Sequence, residues 1–183
     1  MMKKVFIFFT DGFETVEALT PVDVLRRGGC NVITVSVTGK KEVTSAQNVT
    51  IHTDALFDEI AAQQADMLVL PGGPGTSKLF EHEDLKAKLQ THFKQHGLLG
   101  AICAAPMILG RLGMLKQKHA TCFPGYEKDL LGATFTGKPC EVDGNIITAR
   151  GAGVSLQFGL ALLKALSGEN VADEIKQKMQ ADF

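Results

Sequence analysis

One stretch of the chain combines residue types and spacing that suggest chemistry: Leu98-Leu-Gly-Ala-Ile-Cys-Ala-Ala-Pro106. An apolar run stops at Cys103, two alanines follow, and Pro106 leads into an apolar helical pattern of Met107, Ile108, Leu109 and Leu112. That is the outline of a strand, a sharp corner and a helix, with the thiol at the corner and small neighbours where a tight turn leaves no room for bulk. Pro106 suits the first turn of a helix, where its missing N–H is not needed. A sulfur placed there faces unpaired amides and the positive end of a helix dipole, which favour thiolate over thiol. Cys103 is therefore a candidate nucleophile, and the alternative is a small buried hydrophobe.

A second stretch, Pro71-Gly-Gly-Pro-Gly-Thr-Ser-Lys78, has the glycines that let backbone amides approach an anion. It lacks the GK[ST] ending and the GxGxxG spacing of nucleotide loops. The other readings are a plain turn, or a loop in which Gly72 and Gly73 supply amides to an anion hole beside Cys103. Among the acids, Asp11 sits in an early turn, and Glu14 and Glu17 lie one helical turn apart, so they can share a face.

The elements that must position these residues follow from hydrophobic pattern. Val5 to Phe9 is a continuous apolar run of strand length, the kind buried on both faces of a parallel sheet. Val16 and Leu19 form an apolar stripe, and Thr20-Pro21-Val22-Asp23 reads as an N-cap with proline at the first helical position. Arg26-Arg27-Gly28-Gly29 reads as a helix end. Strands are expected at Val32 to Val37, Val49 to His52 and Met67 to Leu70, with a hairpin or loop over Lys40 to Asn48 and a helix from Asp54 to Gln63. Leu79, Phe80, Leu85, Leu89 and Phe93 give a helical pattern interrupted near Glu81 to Asp84. Further on come a short strand at Thr121 to Phe123, a helical turn at Tyr126 to Leu131, and a hairpin at Glu141 to Thr148 signalled by Asp143-Gly144. A second glycine turn, Arg150-Gly-Ala-Gly153, precedes helices over Val154 to Leu166 and Val171 to Met179. Strands alternating with helices imply a parallel sheet covered on both faces, with ligands at the carboxyl ends of the strands. The turns Thr10–Glu14, Pro71–Gly75 and Cys103–Pro106 then share one rim.

Composition narrows the classes. The 183 residues, 45% hydrophobic and 21% charged, fit a single globular domain over 1–183. A net charge of −1 with scattered cations disfavours nucleic acid, and the small group Lys116, Lys118, His119 reads as a solvated turn. No apolar run approaches the roughly 18 residues of a membrane span. The opening Met-Met-Lys-Lys precedes only five apolar residues, short of a signal-peptide core, and reads into a first strand. Cys30, Cys103, Cys122 and Cys140 form no CxxC and no paired pattern, so neither a metal nor a disulfide framework is expected, and a reducing, cytoplasmic setting is.

Five segments, in order and spanning almost the whole chain, resemble the DJ-1/ThiJ/PfpI superfamily and within it the DJ-1 and YajL-like bacterial branch. They are Asp11-Gly-Phe-Glu-Thr-Val-Glu17, Pro21-Val-Asp-Val-Leu-Arg-Arg-Gly28, Val69-Leu-Pro-Gly-Gly73, Ala101-Ile-Cys-Ala-Ala-Pro106 and Arg150-Gly-Ala-Gly153. The resemblance implies an α/β, flavodoxin-like three-layer sandwich of the class I glutamine-amidotransferase kind, with a mostly parallel sheet, assembled as a homodimer without cofactor. It also implies that Cys103 is a nucleophile-elbow cysteine and that Glu17 is the carboxyl that meets its sulfur. Gly73 and Ala104 would offer amides to an oxyanion or to an oxidised sulfur. Such a pair shares one proton, and with that proton on Glu17 the sulfur is expected to be a thiolate near neutral pH.

The departures from the family pattern matter as well. Family members that pair cysteine with histidine often carry the histidine before a proline where this chain has Phe123-Pro124, or directly after the cysteine, where it has Ala104. No histidine follows His119, which argues against a protease or an amidotransferase. His52, His82, His92, His96 and His119 have no motif reason to be catalytic. Gln47 stands near where the DJ-1 branch often has arginine. The resemblance implies cysteine-dependent chemistry on small reactive carbonyls or glycated proteins, of the glyoxalase III or protein-deglycase type. The alternative is a redox-sensing or chaperone-like stress protein whose Cys103 is oxidised to sulfinate. Nothing in the residues supports the thiamine-biosynthesis role of the ThiJ label mechanistically.

Overall fold

A computed structural model describes residues 2–183. Its centre is a seven-stranded sheet. The first strand, β1 (Lys4–Phe9), is buried because its alternate residues serve two layers. Val5, Ile7 and Phe9 join one apolar cluster and Phe6 and Phe8 the other. Helix α1 (Thr15–Arg27) returns the chain to β2 (Asn31–Ser36), parallel to β1. A small hairpin of β3 (Glu42–Thr44) and β4 (Thr50–His52) precedes the two-residue β5 (Ala55–Leu56) at one sheet edge. The one-turn α2 (Phe57–Ile60) leads to β6 (Met67–Leu70), which pairs with β1 on the side opposite β2. Helices α3 (Thr76–Glu81) and α4 (Glu83–Lys94) then lead to β7 (Leu98–Ile102) and α5 (Pro106–Arg111).

The remaining elements are β8 (His119–Ala120), β9 (Thr134–Phe135), the hairpin β10 (Cys140–Asp143) and β11 (Ile146–Ala149), and helices α6 (Ser155–Ser167) and α7 (Glu169–Lys178). The sheet order is β10-β11-β7-β6-β1-β2-β5, parallel throughout except for the edge strand β10. One face is covered by α1, which packs on β1 and β2, and α6, which packs on β7 and β11, through Val24, Leu25, Phe158, Leu162 and Leu163. The other is covered by α4 and α5 through Leu85, Leu89, Ile108 and Leu109. This is the expected three-layer α/β sandwich, and connections from β1 run to opposite sides, to β2 and later to β6. The crevice at their carboxyl ends is the switch point where such sheets bind ligands.

Three local expectations are corrected. Helix α1 does not begin at Thr20; it begins at Thr15 under a Glu14 cap and runs through Pro21. An interior proline removes one helical hydrogen bond, here the one Glu17 would otherwise receive at its carbonyl. Pro21 is nevertheless buried where α1 lies against α6 at Gly159, so tertiary packing offsets the lost bond. The helix expected over Asp54 to Gln63 is only α2, because Asp54 and Ala55 are drawn to β2. The Asp54 carboxylate accepts from the Thr34 amide and hydroxyl, both at 2.8 Å. The strand expected at Thr121 to Phe123 sits two residues earlier, as β8, and pairs with the unanticipated β9.

Candidate active site

The corner after β7 is strained and firmly held. Cys103 has φ 65°, the left-handed region that costs a side-chain-bearing residue free energy. Two backbone bonds enforce it: the Cys103 amide donates to the Ala149 carbonyl, and the Phe123 amide donates to the Cys103 carbonyl, both at 2.8 Å. The thiol is partly exposed, and the amides of Gly73 and Ala104 point at its sulfur.

Glu17 reaches the same sulfur from α1. Val16, which the apolar pattern turns inward, is 45% exposed, whereas Glu17 is 1% exposed. The inward face of the first turn is therefore given to a carboxylate. Glu14 fixes that phase: its side chain accepts the Glu17 amide at 2.8 Å, and its own amide donates to the Gly72 carbonyl at 3.0 Å. The Glu17 carboxyl hydrogen-bonds the Cys103 thiol and accepts from the amides of Gly72, at 3.1 Å, and Ala152.

Gly72 thus has a different place from the one expected of it. Its amide is engaged by Glu17 Oε2, and the amides at the sulfur are those of Gly73 and Ala104. A Cβ on Gly72 would lie 2.5 Å from Glu17 Oε2 and 2.6 Å from Cys103 Cβ, so only glycine lets carboxyl and thiol meet across this loop. Gly73, at φ 102°, has no more room: a Cβ there would lie 2.5 Å from the Glu14 nitrogen. The same contacts dispose of the phosphate-loop reading. The Gly72 and Gly73 amides serve Glu17 and Cys103, and the Gly75 amide donates to the Gly12 carbonyl at 2.9 Å.

The three expected rim turns do converge, and a fourth, Arg150–Gly153, joins them through the Ala152 amide. Sequence reasoning noted that glycine turn without giving it a role. The usable signal was its place directly after a strand, β11, that ends on the same rim.

Electrostatics make Glu17 and Cys103 one unit. Burial pushes Glu17 up from 4.5 to about 7; the Cys103 hydrogen bond opposes the shift and the Glu14 charge adds to it. Burial, then the Glu17 charge, pushes the Cys103 thiol up to about 12, with the Ala104 and Gly73 amides pulling it down. The two groups therefore titrate as a pair that, once its first proton has left, holds one proton and one negative charge between them. The shared proton lies between sulfur and carboxyl, and Glu17 is the group placed to draw it from the thiol.

The other cysteines have no such partner. Burial pushes Cys122 up to about 12 and Cys140 to about 11, and raises Cys30. His92 is buried with Nε2 2.9 Å from the Leu98 carbonyl, His82 caps α4, and His119 lies 3.3 Å from Asp143, all away from the sulfur. Among the described residues no group of three His, Cys, Asp or Glu side chains could hold a metal. No helix there is long and apolar enough to cross a membrane. A cavity of about 460 Å³ between α2 and α4 is remote from the pair, and a shallow groove of about 610 Å³ along α1 touches the site only at Ala152.

Comparison with known proteins places this geometry. A family model described as "DJ-1/PfpI family" matches residues 3–165. Protein DJ-1 homolog B of Arabidopsis thaliana is 35% identical over 94% of this chain, which spans only 40% of that relative's length. Glutathione-independent glyoxalase DJR-1.2 of Caenorhabditis elegans is 30% identical over 85% of this chain and 83% of its own. The crystal structure of Drosophila melanogaster DJ-1beta superposes with a TM-score of 0.94 at 29% identity, covering 100% of both chains.

Proposed function

The chain belongs to the DJ-1/PfpI family, and on that premise we propose that it acts on small reactive carbonyls through Cys103, as a glyoxalase or protein deglycase. The observation that carries this reading is the hydrogen bond between Glu17 and Cys103 at a corner lined by two amides. Glu17 draws the thiol proton as the sulfur adds to an aldehyde carbon; the S–C bond forms, the carbonyl π pair moves to oxygen, and the proton follows it. The amides of Gly73 and Ala104 are within reach of negative charge at the sulfur and of the oxygen that develops beside it. With an α-oxoaldehyde, Glu17 next removes the C–H proton of the hemithioacetal and returns it to the neighbouring carbon. The resulting thioester is hydrolysed by water, releasing a 2-hydroxy acid and the thiol. No external oxidant is required, because the aldehyde carbon is oxidised as the ketone carbon is reduced. The glyoxalase name of the C. elegans relative supports the reading.

Methylglyoxal turnover by the purified protein tests it, with lactate as the product measured. Wild type is expected to turn over and Cys103→Ser to be inactive; equal rates in the two would refute the proposal.

The same amides favour a second reading, in which Cys103 is a redox sensor. An oxidised sulfur would place its oxygens against the Gly73 and Ala104 amides, stabilising a sulfinate. Mild peroxide should then add two oxygens at Cys103 and leave Cys30, Cys122 and Cys140 unmodified, as read by peptide mass spectrometry.

A further inference from the structure

Beyond the reacting pair, the surroundings of Cys103 differ from side to side. Phe123 is held next to the nucleophile by its amide bond to the Cys103 carbonyl, yet its side chain is 47% exposed. Its ring and the Glu17 carboxyl flank one point: the position a Cβ would take on Gly151 lies 3.3 Å from the ring and 3.9 Å from Glu17 Oε1. An aromatic face therefore stands open beside the carboxyl, and nothing in the mechanism above uses it.

The charge around the pair is one-sided. Glu14 and Glu17 both stand at the site, the Glu14 nitrogen 2.5 Å from where a Cβ on Gly73 would sit, and among the described residues no cation influences either Glu17 or Cys103. The rim lysines are turned elsewhere: Lys40 lies 3.8 Å from the Asp11 carboxylate, and Lys78 donates to the Asp11 carbonyl. Arg150, which precedes Gly151 in the chain, is exposed. At position 47 a neutral glutamine is tied down by Thr15, whose hydroxyl donates to Gln47 Oε1 at 2.7 Å.

We propose that Cys103 opens onto an apolar, anion-excluding subsite, in which Phe123 packs against the organic substituent of the electrophile and Glu14, beside Glu17, turns away electrophiles that carry a carboxylate. The inference builds on the proposed carbonyl chemistry and narrows it to uncharged α-oxoaldehydes with an apolar substituent. Phe123 and Glu14 are specificity-determining residues in this scheme; neither takes part in bond making.

Alkylation of Cys103 tests the subsite without depending on turnover. Iodoacetamide, iodoacetate and N-phenyl iodoacetamide are reacted with the intact protein, the Cys103 peptide is quantified by mass spectrometry, and rates are divided by those for 2-mercaptoethanol. After that correction, iodoacetate is expected to lag iodoacetamide by about ten-fold, and Glu14→Gln, which keeps a capping oxygen, to narrow the gap. N-phenyl iodoacetamide is expected to lead by roughly three- to ten-fold. Phe123→Ala should abolish that lead and Phe123→Tyr retain it. Ratios at Cys103 equal to those of 2-mercaptoethanol, or unchanged in Phe123→Ala and Glu14→Gln, would overturn the proposal. Absence of methylglyoxal turnover alongside the expected ratios would instead overturn the glyoxalase reading and leave the subsite standing.

Discussion

Glu17 on α1 and Glu141 on β10 are both buried glutamates, 1% and 9% exposed, and their surroundings move them in opposite directions. Burial is the leading influence on each and raises both. At Glu141 it is outweighed by Lys138, whose Nζ lies 3.0 Å away, with help from Thr136 and His119, and the carboxyl ends below its ordinary range. At Glu17, among the described residues, no cation answers burial; the charge that acts on it is Glu14, of like sign, and the carboxyl ends near 7. A carboxylate that holds structure together is given a cation. The one that faces a thiol is given amides, a sulfur and a second acid.

The largest expected effect of breaking this contrast is on reactivity. Glu17→Gln should lower turnover by roughly 100-fold or more. It should also move the midpoint of Cys103 alkylation from near 7 into the alkaline range, since burial alone then governs the thiol. A midpoint still near 7 in that variant would show that another group shares the proton.

Next comes the pH dependence of stability. Because Glu17 titrates at about 7 when folded and 4.5 when unfolded, the folded chain keeps a proton that the unfolded chain has lost. The associated stability is complete below pH 4.5 and is lost as pH rises through 7, by up to about 3 kcal/mol. His92, pushed down by burial, contributes with the opposite sign, its stability growing as pH rises towards the unfolded value of 6.5 and complete above it. Denaturant unfolding of wild type and Glu17→Gln between pH 4.5 and 7.5 separates the two. The variant should lack the Glu17 slope and keep that of His92.

Gly72→Ala should cost roughly 1–3 kcal/mol, because its Cβ would press on the Glu17 carboxyl and on Cys103 together. It should also separate the pair, so the alkylation midpoint moves along with the melting temperature. The smallest effect belongs to the other glutamate. Lys138→Ala should raise the Glu141 titration midpoint, followed by NMR, and cost about 1 kcal/mol or less, since Lys138 is largely exposed.

The contrast also shows what the sequence could reveal. The elbow was legible because small residues and a proline must surround a corner of this kind, and the layered sheet was legible from strand-length apolar runs. The direction of Glu17 was not legible in the hydrophobic pattern, which points Val16 inward; only the Glu14 cap, by setting where α1 starts, turns the carboxylate to the core. The resemblance named Glu17 where periodicity did not. Pro21 misled for a related reason, since packing against α6 tolerates a proline that local preference assigns to a helix start. The Ala152 amide and the Gly72 amide escaped because a backbone donor has no side chain to betray it.

Ala149 grips the Cys103 amide and Ala152 grips the Glu17 carboxyl, three positions apart at the end of one strand. Sulfur and acid therefore ride on a common carrier. Any displacement of that strand would carry both handholds together.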